Sequence, residues 1–119
     1  MQPPLVTEIR LDRSERQLHL TFEDGERFSL DAEYLRVLSP SAEVQGHGPG
    51  PPVTVPGKRS VAIAELEAVG NYAVRIVFDD GHDTGIYSWA YLRELGERAA
   101  AKWRTYLDAM AREGLSRDP

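Results

Sequence analysis

The chain has 119 residues, of which 41% are hydrophobic and 28% charged, the balance of one ordinary globular domain. It has no cysteine, which excludes a disulfide framework, cysteine catalysis, and a thiolate zinc or iron–sulfur site held by this chain alone. The formal net charge is −5, and acidic residues outnumber basic ones in both halves, so we expect no nucleic-acid binding. Without a leader pattern or a long apolar run, we expect a cytoplasmic protein that makes no membrane contact.

The first half of the chain is predicted to form three strands and one short helix. Alternating apolar positions indicate the strands, over residues 5–11, 16–22 and 26–30. The Asp24-Gly25 pair predicts a hairpin turn, because glycine adopts positive φ at little cost. Asp31 is the predicted N-cap of a helix that continues through Leu38.

Residues 39–60 are predicted to be an irregular loop. They hold five of the eight prolines and four of the ten glycines of the chain, and both residue types disfavour regular structure. A connection of this length inside one domain is uncommon and often carries function. We therefore expect any functional surface to centre on this loop and on the hairpin tip at His82.

The second half repeats the strand pattern and then ends in helix. Strands are predicted over residues 61–69, 72–78 and 84–87. Gly81 marks a turn, and Ser88 is the predicted cap of the helix. Apolar residues at steps of three and four define one helix face, formed by Trp89, Leu92, Leu95, Ala99, Trp103, Tyr106 and Met110. We expect this face to be buried against the sheet, with a break at Gly96, an end at Gly114 and a frayed tail over 115–119.

A short internal repeat links the two halves. Phe22-Glu-Asp-Gly precedes Tyr34-Leu-Arg, and Phe78-Asp-Asp-Gly precedes Tyr91-Leu-Arg. Each copy is predicted to be a hairpin that leads into a helix. Two such units predict an α+β fold, a two-layer sandwich in which antiparallel sheet is covered by a C-terminal helix. We expect one domain, residues 1–119, with its core within residues 5–113.

Three histidines are the only obvious transition-metal ligands, namely His19, His47 and His82. His19 lies in mid-strand, where a satisfied strand histidine is the simplest interpretation. His47 lies in the irregular loop, and His82 lies at a hairpin tip beside Asp80 and Asp83. One interpretation is a divalent-metal site formed by His47 and His82 with one of these carboxylates. The other is that His82 is a solvated turn residue.

No pairing of a nucleophile with a general base is visible, and no serine has the setting of a hydrolase nucleophile. Lys58 and Arg59 form a basic tip that can meet an anion, but the phosphate-loop pattern is missing. We therefore expect no catalytic residue and no enzyme. The candidate interaction surface consists of His47, Lys58, Arg59 and His82.

Two stretches of the sequence, 34–48 and 70–95, resemble the gamma-butyrobetaine hydroxylase-like N-terminal domain family, and the resemblance extends over about residues 5–110. In the hydroxylases this domain precedes a separate oxygenase domain that holds iron and 2-oxoglutarate, and no such domain is present in these 119 residues.

The resemblance also bears on metal binding. It implies a structural zinc held by three cysteines and a later histidine. Here Ser39, Ser41 and Val44 stand at the cysteine positions, and only His82 matches. Hydroxyl groups are poor zinc ligands, so we expect the structural zinc to be absent and no cofactor to be needed, with at most weak divalent-metal binding.

For function, the resemblance implies a binding role. The same domain occurs fused to P-loop ATPases of the Mrp/ApbC type, which resemble iron–sulfur cluster carriers. We therefore expect a non-enzymatic adaptor or binding domain with a protein partner, such as an ATPase of this type, near iron–sulfur cluster or iron metabolism. A divalent-metal-binding protein that uses His47 and His82 is the alternative, and an accessory domain of an oxygenase system is a third interpretation.

Overall fold

The computed structural model describes residues 4–46 and 50–119. The strands are β1 (Val6–Asp12), β2 (Gln17–Phe22), β3 (Arg27–Asp31), β4 (Ile63–Val69), β5 (Ala73–Phe78) and β6 (Ile86–Ser88). The helices are α1 (Ala32–Val37), α2 (Ala42–Gln45), α3 (Trp89–Glu97) and α4 (Ala99–Glu113). Among the described helices, none is long and apolar enough to cross a membrane.

The strands form two antiparallel three-stranded sheets, in the orders β1-β2-β3 and β4-β5-β6. The α+β prediction is confirmed, and the strands divide between two sheets rather than joining in one continuous layer. Alternation in β2 places Leu18, Leu20 and Phe22 inward, each almost fully buried. Ile76 and Phe78 do the same in β5, so the core lies where the inner faces of both sheets meet the helices.

The internal repeat corresponds to a repeat of structure. Both units are three-stranded meanders that lead into a helix. Their hairpin glycines adopt nearly equal positive φ, 90° at Gly25 and 92° at Gly81. The first strand of each unit also carries an irregularity at the equivalent place, between Val6 and Glu8 and between Ile63 and Glu65.

The repeated side chains bind across the two units rather than within one. The Tyr34 hydroxyl donates to the Leu95 carbonyl at 2.6 Å, and the Tyr91 hydroxyl donates to the Leu38 carbonyl. These bonds satisfy carbonyls near the end of the other unit's helix, where intrahelical partners run out.

The repeated arginines follow the same rule. Arg93 of the second unit forms a bidentate pair with Asp24 in the hairpin of the first. Arg36 of the first unit pairs with Asp80 in the hairpin of the second, at 2.8 Å. Each copy of the motif therefore recognises the other, which explains why the same residues recur at this spacing.

Two helix predictions agree with the structure, and a third, the N-cap at Asp31, agrees in position but lacks the capping hydrogen bond. The Ser88 hydroxyl accepts a hydrogen bond from the Tyr91 N–H at 3.1 Å, as expected of a cap. Gly114 ends α4 in the left-handed conformation, with φ at 66°. Asp31 precedes α1, but its carboxylate makes no cap bond and accepts from the Gln17 amide instead.

The break predicted at Gly96 occurs two residues later, at Arg98, which separates α3 from α4. Gly96 lies inside α3, where glycine is required because a β-carbon would lie 2.6 Å from atoms of the Phe28 ring. The absence of a side chain at Gly96 therefore lets the backbone of α3 lie close to Phe28 of β3.

The buried helix face is shorter than predicted. Leu92, Leu95, Tyr106 and Met110 are buried, but Trp103 is half-buried. Its ring stacks on Tyr106 and contacts the edge of Tyr34, so it packs at the border of the main core rather than inside it.

The C-terminal tail is held in place, and the prediction of a frayed end was wrong. Arg117 lies over the Trp103 ring and forms a bidentate pair with the buried carboxylate of Glu33. Backbone bonds from the Gly57 and Arg59 N–H groups to the tail carbonyls add to this attachment.

Candidate functional site

The predicted irregular loop contains a short helix, α2 (Ala42–Gln45), which the glycine and proline content concealed. Its N-cap is Ser41, whose hydroxyl accepts a hydrogen bond from the Glu43 N–H at 3.2 Å. From Pro51 to Val55 the chain is extended and regains contact with α2, because the Val53 N–H donates to the Val44 carbonyl at 2.7 Å.

A polar relay of three side chains, Ser39, His82 and Glu43, joins this helix to the hairpin of the second unit; Ser39 and His82 are buried, whereas the Glu43 side chain is 64% exposed. Ser39 Oγ and His82 Nε2 are 2.8 Å apart, and His82 Nδ1 lies 3.1 Å from Glu43 Oε2. Because a carboxylate only accepts, Nδ1 donates to Glu43, and in the neutral imidazole Nε2 is then the acceptor for the Ser39 hydroxyl. The imidazole is only 3% exposed, so His82 is not a solvated turn residue.

The order hydroxyl, imidazole, carboxylate is also that of an acyl-transfer triad. In this chain it cannot perform that chemistry, because Ser39 has no exposed surface and no substrate carbonyl can reach its Oγ. A β-carbon on Gly85 would lie only 2.6 Å from the same oxygen, so the neighbouring backbone is closely packed. The relay is structural.

The structure brings together all four positions that the family resemblance relates to zinc. Ser41 Oγ lies 2.7 Å from Thr84 Oγ1, beside the Ser39–His82 bond, and Val44 is buried in the same junction. These residues do not fit a zinc ion. Both hydroxyls are engaged in hydrogen bonds, Val44 has no donor atom, and both nitrogens of His82 already have partners.

The other proposed metal ligands are also engaged. Partial burial raises the pKa of Asp80, but hydrogen bonds from Lys58, the His82 N–H and Arg36 outweigh it and lower the pKa to about 2. Asp83 lies 3.4 Å from Arg75. Within residues 4–46 and 50–119, no group of three His, Asp or Glu side chains is arranged to hold a metal ion. His47 lies outside the described residues.

Chelation is therefore expected to leave stability unchanged. The relay holds the junction without a metal, whereas removal of a structural zinc takes folding free energy with it. We expect the melting temperature to shift by less than about 1 °C when a strong chelator is added at neutral pH, as measured by calorimetry. A drop of several degrees that added zinc reverses would contradict this expectation.

The candidate interaction residues lie in engaged positions. Lys58 pairs with Asp80 at 2.7 Å and is about one-fifth exposed. Arg59 pairs with Asp118 of the C-terminal tail at 2.7 Å, although both side chains remain largely exposed. Since His82 is buried, it offers no contact surface. These residues fasten the long loop to the hairpin and the tail.

His19 has the satisfied environment expected of a strand histidine. Its Nδ1 lies 2.7 Å from Ser29 Oγ on the neighbouring strand, and its Nε2 lies 3.4 Å from Asp12. The register pairs His19 with Ser29, so this contact is a cross-strand pair on the outer face of the first sheet.

An open cleft of about 800 Å³ lies on the other side of α2. Its floor is formed by Val37, Leu38, Tyr91 and Tyr106, and its two walls are the extended segment 51–54 and one face of α4. The Tyr106 hydroxyl donates to the Val55 carbonyl at 2.6 Å and so ties the two walls together. Burial, and then the charge of Glu94, raise the pKa of Tyr91 to about 12, so its hydroxyl stays protonated.

Polar groups line the rim of the cleft, and most of them are satisfied within the chain. Lys102 pairs with Glu94 at 2.8 Å, and this hydrogen bond lowers the pKa of Glu94. The Thr54 hydroxyl donates to Glu113 at 2.6 Å. The Arg112 guanidinium has neither an ion pair nor a hydrogen bond with any residue that the structure describes.

Sequence reasoning missed this α4 wall. Lys102, Thr105, Ala109 and Arg112 follow at steps of three and four, beside the apolar stripe, and only the small residues Thr105 and Ala109 hint at a concave surface. The irregular loop of residues 39–60 was a better guide to the cleft, because its segment 51–54 forms the opposite wall. Val53 there is 56% exposed, a large apolar side chain left open to solvent.

Comparison with known proteins places the chain in a family. No curated protein matches it significantly. Two proteins with NMR solution structures are similar over nearly all of this chain. One is 48% identical, with a TM-score of 0.84 over 100% of this chain and 92% of its own. The other is 43% identical, with a TM-score of 0.85 over 99% and 93%.

A crystal structure of a protein with unknown function from the DUF971 family of Acidithiobacillus ferrooxidans ATCC 23270 is also similar. It is 37% identical, with a TM-score of 0.66 over 80% of this chain and 98% of its own. None of these descriptions assigns a reaction. The family described as gamma-butyrobetaine hydroxylase-like, N-terminal matches residues 9–93. The chain therefore belongs to the gamma-butyrobetaine hydroxylase-like N-terminal domain family.

Proposed function

We propose that this protein is a non-enzymatic adaptor domain that binds a segment of a partner protein in the cleft between residues 51–54 and α4. The observation that carries the proposal is the cleft itself, about 800 Å³ with an apolar floor and an exposed Val53 on its rim. An exposed apolar surface with a polar border is typical of a binding site.

The polar groups of the cleft favour a protein segment over a polar metabolite. A small-molecule site usually aims several free donors and acceptors at its ligand. Here the hydroxyls of Tyr91, Tyr106 and Thr54 donate to atoms of the chain, and the Gln45 amide donates to the Ser39 carbonyl. The floor therefore offers mainly apolar contact.

The rim indicates the chemistry of the bound segment. The two acidic side chains are engaged, Glu94 with Lys102 and Glu113 with Thr54. Arg112 retains five N–H donors in a geometry that matches a carboxylate. We therefore expect a segment with apolar side chains for the floor and an aspartate, a glutamate or a chain-terminal carboxylate for Arg112.

For the identity of the partner, the family resemblance suggests a P-loop ATPase of the Mrp/ApbC type and a role near iron–sulfur cluster handling. Occurrence of this domain in fusion with such ATPases is the support for this part of the proposal. Fusion with an ATPase does not identify the surface that binds it, so variants of the cleft test the surface and the partner together.

Val53→Asp is expected to weaken binding of the purified ATPase from the same genome at least tenfold, about 1.4 kcal/mol, because it places a charge on the apolar wall. Isothermal titration calorimetry measures this effect. Leu107→Asp is the matched control, since Leu107 is also an exposed aliphatic residue, 38% exposed, and lies on α4 outside the cleft.

Two outcomes would contradict the proposal. Equal affinities of the Val53→Asp and Leu107→Asp variants would show that the ATPase binds elsewhere, and absence of binding by the unmodified chain would remove this partner.

Arg112→Glu should weaken binding of the ATPase more at low ionic strength than at high ionic strength, because an exposed charge pair is screened by salt.

A further inference from the structure

We infer that the buried side chain of His82 is a positioning residue for the cleft, to which it is connected through α2. The inference rests on the proposed function, because it assigns His82 a part in binding the partner segment although the ring does not line the cleft. It also gives the relay of Ser39, His82 and Glu43 a role beyond that of filling the core.

The first step is the rigidity of the histidine itself. The His82 N–H donates to Asp80 Oδ1 at 3.0 Å, and the His82 carbonyl accepts from the Phe78 N–H at 2.9 Å. Asp80 is in turn held by Arg36 and Lys58. The hairpin of the second unit therefore presents the imidazole in a fixed orientation.

The second step is the dependence of α2 on that ring. A helix of four residues is not stable by itself, because nucleation costs more than one turn of hydrogen bonds returns. The imidazole forms one hydrogen bond with Ser39, which precedes the first turn of α2, and another with Glu43 within that turn. Ser41 and Thr84 add one parallel bond between the same two elements.

The third step is the dependence of the cleft wall on α2. The Val53 N–H donates to the Val44 carbonyl at 2.7 Å, the one backbone bond that joins segment 51–54 to α2 in the described structure. Pro51 and Pro52 have no N–H with which to add another. Gln45, the last residue of α2, itself lines the cleft. This bond holds the wall to α2, while the Thr54–Glu113 and Tyr106–Val55 bonds hold it to α4, so release of α2 removes one of its two attachments.

The experiment measures amide hydrogen exchange and partner affinity in His82→Ala. We expect exchange of the Val53 amide to become at least tenfold faster, because its acceptor helix is released, while the amides of β2 and β5 keep their protection. Affinity for the purified ATPase, measured by isothermal titration calorimetry, should fall severalfold. His19→Ala is the control, since that histidine has similar polar partners on the first sheet and is remote from α2.

Ser39→Ala is a second variant, in case loss of the whole imidazole unfolds the chain. It removes one hydroxyl at nearly constant volume and breaks the same relay. Unchanged protection of Val53 in this variant would overturn the inference, and so would faster exchange with unchanged affinity. The exchange measurement needs no partner, so failure of the proposed function would appear separately, in the titration of the Val53→Asp variant.

Discussion

Replacement of Leu92 by alanine is expected to lower the free energy of unfolding by about 2–5 kcal/mol, the range for truncation of a buried leucine. Leu92 has no exposed surface and lies in the core that both sheets share with α3. Leu35 is its equivalent in the first unit and is equally buried. Because the side chain contacts elements of both units, we expect the cavity to collapse only in part.

Urea denaturation followed by circular dichroism measures this loss. Leu107→Ala on the exposed face of α4 is the control, and we expect it to change stability by less than about 0.5 kcal/mol. A loss below about 1 kcal/mol for Leu92→Ala would mean that α3 does not close the core between the two sheets.

Gly85→Ala is expected to destabilise the protein by about 1–3 kcal/mol, the usual cost of overpacking. The added β-carbon would lie 2.6 Å from Ser39 Oγ and 3.0 Å from the Tyr87 ring. Both neighbours are fully buried, so neither can move aside freely. The clash should exceed the stabilisation of about 0.4–1 kcal/mol that an alanine gives by restricting the unfolded chain.

The control is Gly50→Ala, where a β-carbon meets nothing within 4 Å and φ is not positive. We expect this variant to be neutral or slightly more stable by urea denaturation. Gly85→Ala should also disturb the Ser39–His82 bond, visible as a shift of the His82 ring resonances in NMR spectra. If Gly85→Ala proved as stable as Gly50→Ala, the packing around Ser39 would be looser than this structure has it.

Gly85→Ala probes the junction at which the four positions that the family resemblance relates to zinc come together. The four positions meet because the start of the long loop lies against the hairpin of the second unit, whatever side chains occupy them. Ser39, Glu43 and His82 then supply hydrogen bonds between the same two elements. Each such bond contributes modestly, but a buried partner left unsatisfied would cost more, which maintains the junction.

The sequence by itself determined the elements and their class. Alternation in β2 and β5, positive φ at Gly25 and Gly81, and the cap at Ser88 are local effects of backbone and side-chain geometry, and all were predicted. The family could be identified for the same reason, because the two motif stretches are contiguous in the chain.

Contacts between distant residues were decided only by the tertiary structure. The sequence showed the repeated Tyr and Arg, but not that Arg36 binds Asp80 of the other unit, which removed Asp80 from the metal ligands. Likewise the sequence placed His82 at an exposed turn, whereas the structure covers it with α2, whose Glu43 and preceding Ser39 bind the ring. Short helices, tails and clefts depend on contacts with residues far away in the sequence, and the spacing of residues along the chain does not reveal such contacts.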